Sequence, residues 1–361
     1  MRVLLLATDA FGGHGGIALY NRDLAEAIAQ LSYVTEVVVV VRNMPFEPGT
    51  IPAKATFVSK AAAGKWSYIS QAFRCAQRGS YGLVICGHVN LLPLAAVIAN
   101  LRRVPLSLLV YGIDVWKPAG WLTRRALRRV NAVWSISEIT RDRMNAWAKL
   151  GASRFSILPN AIHLDRYAPG LKAIDLLDRF SLHDTKVILT LCRLSTSERY
   201  KGIDELIEVM PNLIAEVPEI RYVVAGSGDD LPRLQQKVIG LNLQSHVIFA
   251  GFVSEDRKAD YFRLADVFAM PGRGEGFGFV FLEALACGIP CVGSRVDGSR
   301  EALRNGELGL LADPDDHKSI KNAVLQAIVQ PKAVPDGIRY FAWPMFVQRV
   351  DLAVGAVALL S

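Results

Sequence analysis

The chain has 361 residues, of which 51% are hydrophobic and 21% are charged, and its formal net charge is +7. This length exceeds what one hydrophobic core usually organises, so we expect two domains, and the composition of a soluble globular protein excludes a disordered chain. The charge is uneven, because residues 1–180 carry 22 Lys and Arg against 11 Asp and Glu, whereas residues 181–361 carry 19 against 23.

Short apolar strands alternate with amphipathic helices in the first half of the chain. The predicted elements are strand 3–7, helix 17–31, strand 37–41, helix 67–78, strand 83–86, helix 91–101, strand 106–110, helix 122–130, strand 132–136, helix 138–150 and strand 155–158. Continuous apolar strands separated by helices are typical of a parallel sheet that is covered on both faces.

A linker is predicted at 159–184, where Pro and Gly interrupt a loosely patterned stretch. The alternation then resumes with strand 187–191, helix 203–217, strand 222–225, helix 230–239, strand 247–249, helix 258–264, strand 267–270, helix 279–287, strand 290–293 and helix 317–329. We therefore predict an α/β protein with two doubly wound, Rossmann-like domains that face each other across a cleft and bind ligand at the carboxyl ends of their strands.

Five cysteines occur without a C-x-x-C pair. An odd number of cysteines in a chain of this length is typical of reduced thiols, which indicates a cytoplasmic protein. Gly288 and Pro290 lie between Cys287 and Cys291, and no D-x-D sequence lies in a suitable loop. We therefore expect no metal ion and no other cofactor.

Basic residues cluster in the first half, at Arg102-Arg103 and again over residues 124–129. One interpretation is a solvated helix face. The other is attraction to an anionic membrane or to a phosphate-bearing acceptor. Nucleic acid is not expected as a partner, because no aromatic platform is interleaved with these residues.

A glycine-rich loop, Phe11-Gly-Gly-His-Gly-Gly-Ile17, follows the first predicted strand and leads into a helix. Glycines in such a place let backbone N–H groups approach an anion at a helix N-terminus, so Gly15 and Gly16 are candidates for phosphate contact. The alternative is a tight turn, since the third glycine of G-x-G-x-x-G is missing.

The strongest motif places two carboxylates eight residues apart, Glu275 and Glu283, on either side of a glycine-rich helix start. Two carboxylates that reach one cleft can accept hydrogen bonds from the vicinal hydroxyls of a sugar and of a ribose. Alternatively, Glu283 is a solvated helix residue and Glu275 interacts with the helix dipole. The helix is apolar, however, and an unpaired buried Glu283 would be costly, which favours the functional interpretation.

This motif resembles the E-x7-E and A-x-G-x-P-V pattern of retaining glycosyltransferases of family four, which have the GT-B fold. Nearly the whole chain resembles that family, and each further segment is weak alone but specific in order and spacing. These segments are Ser135-Ile-Ser-Glu138, Pro159-Asn-Ala-Ile162, Leu191-Cys-Arg-Leu194 with Tyr200-Lys-Gly202, Val224-Ala-Gly-Ser-Gly-Asp229, Phe249-Ala-Gly-Phe-Val253 and Asp266-Val-Phe-Ala-Met-Pro271.

The resemblance implies roles for individual residues. Arg193 and Lys201 would bind the diphosphate of a nucleotide-sugar and stabilise its leaving phosphate, although both could be surface charges. Glu283 would hold the ribose, and Glu275 the donor sugar. The remaining implied donor contacts are Gly15, Gly16, Gly226, Phe252, Val253, Gly276, Phe277, Gly278 and Phe279. In the family a histidine often stands where this chain has Tyr111, so Tyr111 is a departure from the pattern and a cleft candidate. His88 and Asp114 are further cleft candidates, or structural residues.

The implied function is transfer of a hexose, with retention of configuration, from a UDP- or GDP-linked sugar to a saccharide or lipid-linked saccharide in surface polysaccharide synthesis. The implied domains are 1–165 with 345–361, on the acceptor side, and 166–344, which binds the donor. An NADP-dependent oxidoreductase and a non-catalytic nucleotide-sugar-binding module are the alternatives; the glycine loop and Arg42 favour the first of them.

Overall fold

The computed structural model describes residues 1–13 and 15–358, and these form two compact units. The first unit comprises the described residues of 1–161 together with 343–358, and the second comprises 162–342. The first unit thus ends at 161 where the sequence predicted 165, and its C-terminal segment begins at 343 where the sequence predicted 345.

The first unit is a parallel sheet with strand order β3-β2-β1-β4-β5-β6-β7. Its strands are β1 (Arg2–Ala7), β2 (Glu36–Val41), β3 (Ala55–Val58), β4 (Tyr81–Cys86), β5 (Leu106–Val110), β6 (Ala132–Ser135) and β7 (Phe155–Ile157). Its helices are α1 (Gly16–Gln30), α2 (Lys65–Gln77), α3 (Leu92–Arg102), α4 (Trp121–Ala126), α5 (Glu138–Ala148) and α13 (Trp343–Ala358). Strands such as β1 are buried on both faces, which is why their sequences are apolar without alternation.

The second unit is also a parallel sheet, with strand order β10-β9-β8-β11-β12-β13. Its strands are β8 (Lys186–Leu191), β9 (Ile220–Ala225), β10 (Val247–Gly251), β11 (Val267–Ala269), β12 (Cys291–Ser294) and β13 (Leu310–Ala312). Its helices are α6 (Ile174–Phe180), α7 (Ile203–Glu216), α8 (Leu231–Gly240), α9 (Lys258–Leu264), α10 (Phe279–Ala286), α11 (Ser299–Ala302) and α12 (His317–Ile328). The order reverses between β8 and β11, and doubly wound sheets bind ligands at such a reversal.

Some elements differ from the prediction. The stretch 159–184 was predicted as a linker, but it contains α6, a helix of seven residues. The predicted helix 122–130 ends at Ala126 and continues as a 3₁₀ turn over Leu127–Arg129. Strands β3 and β13 were not predicted, because both are short edge strands, of four and three residues, that are partly exposed.

Within residues 1–13 and 15–358, no helix has both the length and the apolar character that crossing a bilayer requires.

Candidate functional site

The loop between β11 and α10 contains the first part of the two-carboxylate motif. It ends at Gly278, the N-cap of α10, whose φ is 94°. A Cβ on Gly278 would lie 2.8 Å from the Phe281 ring and 3.2 Å from Cγ of Glu275, so only glycine fits this turn. No side chain of the described residues caps the helix. The first-turn N–H groups of α10, which carry partial positive charge, are therefore available to an anion.

The loop after β8 lies directly against this glycine-rich loop. The Arg273 N–H donates to the Tyr200 carbonyl at 2.7 Å, and a Cβ on Gly274 would lie 2.6 Å from the Tyr200 ring. This packing brings the Lys201 Nζ to 3.6 Å from Oε2 of Glu275. Two residues that the sequence singled out separately thus lie side by side near the start of α10.

Lys201 and Arg193 share a second carboxylate, Glu198, which the sequence did not indicate. Lys201 Nζ lies 3.4 Å from Oε2 of Glu198, and Arg193 pairs with Oε1 of the same side chain. Burial alone would lower the pKa of Lys201, but the adjacent Glu275 and Glu198 carboxylates raise it above its usual value. Lys201 is therefore cationic, while Arg193 keeps 71% of its side chain exposed.

Asp297, a fully buried residue after β12, holds the Glu275 loop in place. Its Oδ2 accepts from the Glu275 N–H at 2.9 Å, and its Oδ1 accepts from the Ser299 hydroxyl at 2.6 Å. The Gly298 N–H in turn donates to the Glu275 carbonyl at 2.7 Å. Sequence reasoning missed Asp297; its only signal was an aspartate followed by glycine at the carboxyl end of a strand.

Glu283 is buried inside α10, and one of its carboxylate oxygens is satisfied. Oε1 accepts from the Tyr167 hydroxyl at 2.9 Å and lies 3.5 Å from Nζ of Lys258. Oε2 is buried and has no hydrogen-bond partner among the residues that the structure describes. Burial raises the pKa of Glu283, and Lys258 and Tyr167 oppose that shift. An unsatisfied buried carboxylate oxygen is costly unless a ligand donates to it.

Further candidates of the second unit lie just after β9 and β10 and in the loop before α10. Gly226 has a φ of 141°, and a Cβ there would collide with the Cys192 carbonyl, so the chain passes close to the end of β8. After β10, Phe252 keeps 73% of its surface exposed and Val253 is buried. Phe277 packs against the Phe341 ring in the core, with 5.5 Å between ring centroids, so its backbone is its available group.

Gly15 and Gly16 are exposed at the start of α1 in the first unit. Gly15 is the N-cap, with φ 93°, and a Cβ there would meet no atom within 4 Å. The space around Gly15 suits a backbone that approaches a ligand. His14 of the same loop lies outside the described residues.

Tyr111, His88 and Asp114 each form hydrogen bonds within the first unit. The buried Tyr111 hydroxyl donates to Asn21 Oδ1 at 2.8 Å. His88 is half-buried, its Nδ1 accepts from the Asn90 N–H at 3.1 Å, and burial lowers its pKa. Asp114 accepts from the Tyr111 N–H at 3.2 Å, and burial raises its pKa to about 7 against these backbone donors. The Asp114 contact stabilises the turn after β5, the His88 contact the turn after β4, and the Tyr111 hydroxyl joins the turn after β5 to α1.

No group of three or more His, Cys, Asp and Glu side chains in residues 1–13 and 15–358 is arranged to hold a metal ion. The five cysteines are free thiols, and three of them are buried. Lys201 is the cation that pairs with the loop before α10, and Arg193 is linked to it through Glu198.

Two family models match successive parts of the sequence. Residues 14–166 match the model described as Glycosyltransferase Family 4, and residues 178–337 match Glycosyl transferases group 1. The chain belongs to the family-4 glycosyltransferases. The two matches correspond closely to the two units of the structure.

Curated proteins similar to this chain include a GDP-mannose-dependent α-(1-6)-phosphatidylinositol monomannoside mannosyltransferase of Mycolicibacterium smegmatis. It is 34% identical over 250 residues, which cover 65% of this chain and 63% of that protein. A D-inositol 3-phosphate glycosyltransferase of Geodermatophilus obscurus is 30% identical over 57% of this chain and 48% of its own length. The chain thus spans less than two thirds of the length of these relatives.

The fold is also that of solved GT-B glycosyltransferases. The HepE protein of Anabaena, crystallised with UDP-glucose, superposes with a TM-score of 0.77 over 99% of this chain and 100% of its own, at 19% identity. The predicted α/β fold class and family are confirmed by these comparisons and by the two parallel sheets.

Proposed function

We propose that this protein transfers a hexose from a nucleotide diphosphate-sugar to a saccharide or a lipid-linked saccharide, and that its second unit binds the donor. The observation that carries the proposal is the cluster at the start of α10. Lys201 and the uncapped helix N-terminus supply positive charge there, with Arg193 linked to Lys201 through Glu198; Glu275 before the helix and Glu283 within it supply hydrogen-bond acceptors. A donor has a diphosphate and two sets of vicinal hydroxyls, which require these two kinds of group.

The diphosphate belongs at the positive end of this cluster. Negative charge grows on the leaving phosphate as the bond between the sugar and its oxygen breaks. A fixed cation and oriented N–H groups stabilise that charge more than they stabilise the ground state, which lowers the barrier. Lys201 is held beside the helix start by Glu275 and Glu198. Its side chain therefore needs little rearrangement during the reaction. These cations make a metal ion unnecessary in the proposed reaction.

The donor's ribose belongs at Glu283. Its Oε2 is an acceptor without a partner in the described part of the chain, and Tyr167 and Lys258 fix the carboxylate through Oε1. A ribose hydroxyl that donates to Oε2 would remove the cost of burying it. The exposed Phe252 ring and the backbone of Val253 then provide an apolar surface for the base.

The sugar belongs at Glu275, whose carboxylate lies beside Lys201. We propose that the reaction retains the anomeric configuration by displacement on one face of the sugar through an oxocarbenium-like state. The leaving phosphate oxygen takes the proton of the acceptor hydroxyl. This path is preferred over a nucleophilic Glu275, because that carboxylate is engaged by a lysine that neutralises it.

The names of similar proteins indicate candidates for the acceptor and for the base of the donor. One relative is named for GDP-mannose and a phosphatidylinositol mannoside, whereas HepE was crystallised with UDP-glucose. We propose a phosphate-bearing or lipid-linked saccharide acceptor bound by the basic first unit, in the synthesis of surface polysaccharide by a cytoplasmic enzyme.

A panel of UDP- and GDP-linked hexoses tests the proposal directly. A donor that binds the folded chain raises its melting temperature, so one base should protect more than the other. Without acceptor, that donor should be hydrolysed slowly. The release of nucleoside diphosphate measures this hydrolysis and reports the transfer chemistry. If no UDP- or GDP-sugar raises the melting temperature, the proposed function is contradicted.

A further inference from the structure

We propose that the outer surface of α3 and α4 docks on an anionic lipid membrane. This inference goes beyond the proposed function and does not depend on it, because membrane binding can be measured without donor or acceptor. The proposal starts from the charge distribution. Residues 48–137 contain twelve Lys and Arg but one acidic residue, Asp114. This stretch alone accounts for the positive excess of the first half of the chain.

The helices of this stretch lie on one side of the first unit's sheet. Helices α2, α3 and α4 are packed in succession, and buried residues of α2 and α3 join Leu127 and Val130 in one hydrophobic core cluster. Their opposite sides face solvent. A charge excess that would otherwise be spread around the unit is therefore concentrated on this side.

The basic members of the α3–α4 surface are available to a partner. They are exposed arginines just after α3, in α4 and in the 3₁₀ turn that follows α4, namely Arg103, Arg124, Arg125 and Arg128. None of the four forms an ion pair within the part of the chain that the structure describes. Arg129, in contrast, donates to the Val104 carbonyl at 3.0 Å and to Asn131, so it stabilises the end of the helix pair and is not part of the surface.

The apolar members of the α3–α4 surface are large and exposed. Trp121 and Leu122, the first two residues of α4, keep 72% and 53% of their surface in solvent, and Leu101 near the end of α3 keeps 66%. Val97, one turn before Leu101, keeps 49%. Exposed tryptophan and leucine beside arginine suit the membrane interface, where rings and aliphatic chains enter the acyl boundary and guanidinium groups meet lipid phosphates.

The mixture of side chains favours lipid over nucleic acid. Arginines alone would serve either polyanion. Leu101, Leu122 and Val97 have no stacking face for a base, but each gains free energy by leaving water for hydrocarbon. An anionic bilayer therefore satisfies both halves of the surface.

The test is co-sedimentation of the full chain with vesicles of phosphatidylcholine, with and without phosphatidylglycerol. We expect binding to the anionic vesicles that weakens as salt rises, and little binding to phosphatidylcholine alone. Replacing Arg103, Arg124, Arg125 and Arg128 by Gln should weaken binding by about 100-fold, since each basic residue near an anionic surface contributes about tenfold or less. The matched control, with the same loss of charge, replaces four exposed residues of the second unit, Arg166, Lys186, Lys318 and Arg339, by Gln.

A second pair of variants tests insertion of the apolar side chains. Trp121→Ser with Leu122→Ser should weaken binding even at high salt, while Leu171→Ser with Leu352→Ser, at exposed positions elsewhere, should not. Far-ultraviolet circular dichroism checks that every variant is folded. Equal binding by the arginine variant and its control, or no binding of the native chain to anionic vesicles, would overturn the proposal. Tighter binding to a single-stranded oligonucleotide than to the vesicles, through the same arginines, would also overturn it.

Discussion

Lys201 and Glu275 lie on loops that follow different strands, yet Nζ and Oε2 are 3.6 Å apart. The two strands, β8 and β11, are neighbours in the sheet of the second unit, and their carboxyl ends meet where the strand order reverses. The topology thus brings a cation, a carboxylate and the uncapped start of α10 to one place. The predictions below concern what each of these groups does.

Removing the cations should slow the transfer. Lys201→Ala is expected to lower kcat by about 100-fold or more, because it removes a fixed charge that acts on the leaving phosphate. Arg193→Ala should add to that loss, and the double variant should lose several decades. Steady-state kinetics with saturating donor measure this, and Lys186→Ala, an exposed lysine at the start of β8, is the control. A loss of less than tenfold for the double variant would contradict the assignment.

Glu283→Gln should weaken donor binding while the chain stays folded. The substitution keeps the shape of the side chain but replaces a charged acceptor with an amide, and we expect the donor Kd to rise about 10- to 100-fold. Tyr167→Phe, which removes the hydrogen bond to Oε1, should have a smaller effect in the same direction. Isothermal titration with the nucleoside diphosphate measures both, and Glu216→Gln on the exposed side of α7 is the control. An unchanged Kd for Glu283→Gln would count against a ribose at this residue.

The helix start should not tolerate a side chain at Gly278. Alanine there would strain a backbone with φ 94° and press on Phe281 and Glu275, so the first turn of α10 should shift and donor binding should fall. Gly306→Ala is a matched control, because its φ is 102° but a Cβ would meet one atom, at 3.8 Å. Both variants should lose roughly 1–3 kcal/mol of stability. Equal donor affinity in the two variants would show that the start of α10 does not touch the donor.

Asp297 should make the stability of the second unit depend on pH. Burial raises its pKa to about 6, whereas an aspartate of the unfolded chain titrates near ~3.9. Between these values the folded chain binds more protons than the unfolded chain, so Asp297 lowers the free energy of unfolding as pH rises from about 4 to about 6. Asp297→Asn should remove this contribution.

Thermal unfolding midpoints of the native chain and the Asp297→Asn variant, measured from pH ~4 to ~7, test this effect. The difference between the two curves should change mainly below about pH 6. Asp114→Asn is a comparison in the first unit, because the pKa of Asp114 is raised to about 7 and its change should extend to higher pH. Parallel curves for the native chain and Asp297→Asn would contradict the raised pKa.

The fold was accessible from the sequence wherever burial imposes a pattern. Strand β5 (Leu106–Val110) and helix α9 (Lys258–Leu264) begin and end where the pattern predicts. Strand β5 is buried along its whole length, and α9 buries one face, so each has the apolar pattern of its element. Strands β3 and β13 at the sheet edges are partly exposed and only four and three residues long, so the pattern of either is too short to predict a strand. Helix α6 lacks a long apolar face, and its seven residues are hidden among loop residues.

The same limit applies to the candidate site. Glu275, Glu283, Arg193 and Lys201 were recognised because their spacing within local motifs matches a family pattern. Their partners Asp297 and Tyr167 were not, because those contacts depend on how separate segments pack together. Glu198 lies in the same loop as Arg193 and Lys201, but its side chain is placed by how that loop folds. Tyr111 illustrates the same point in the first unit: the sequence shows a phenol after a strand, but only the packing shows that its hydroxyl is used by Asn21.

The most direct test of the account is a crystal structure of the chain with UDP or GDP, whichever protects it from unfolding. We predict that the diphosphate oxygens accept hydrogen bonds from the first-turn N–H groups of α10 and lie within ion-pair distance of Lys201 or Arg193, with the ribose on Glu283. A diphosphate bound away from the start of α10, with Lys201 still paired only with Glu275 and Glu198, would contradict it.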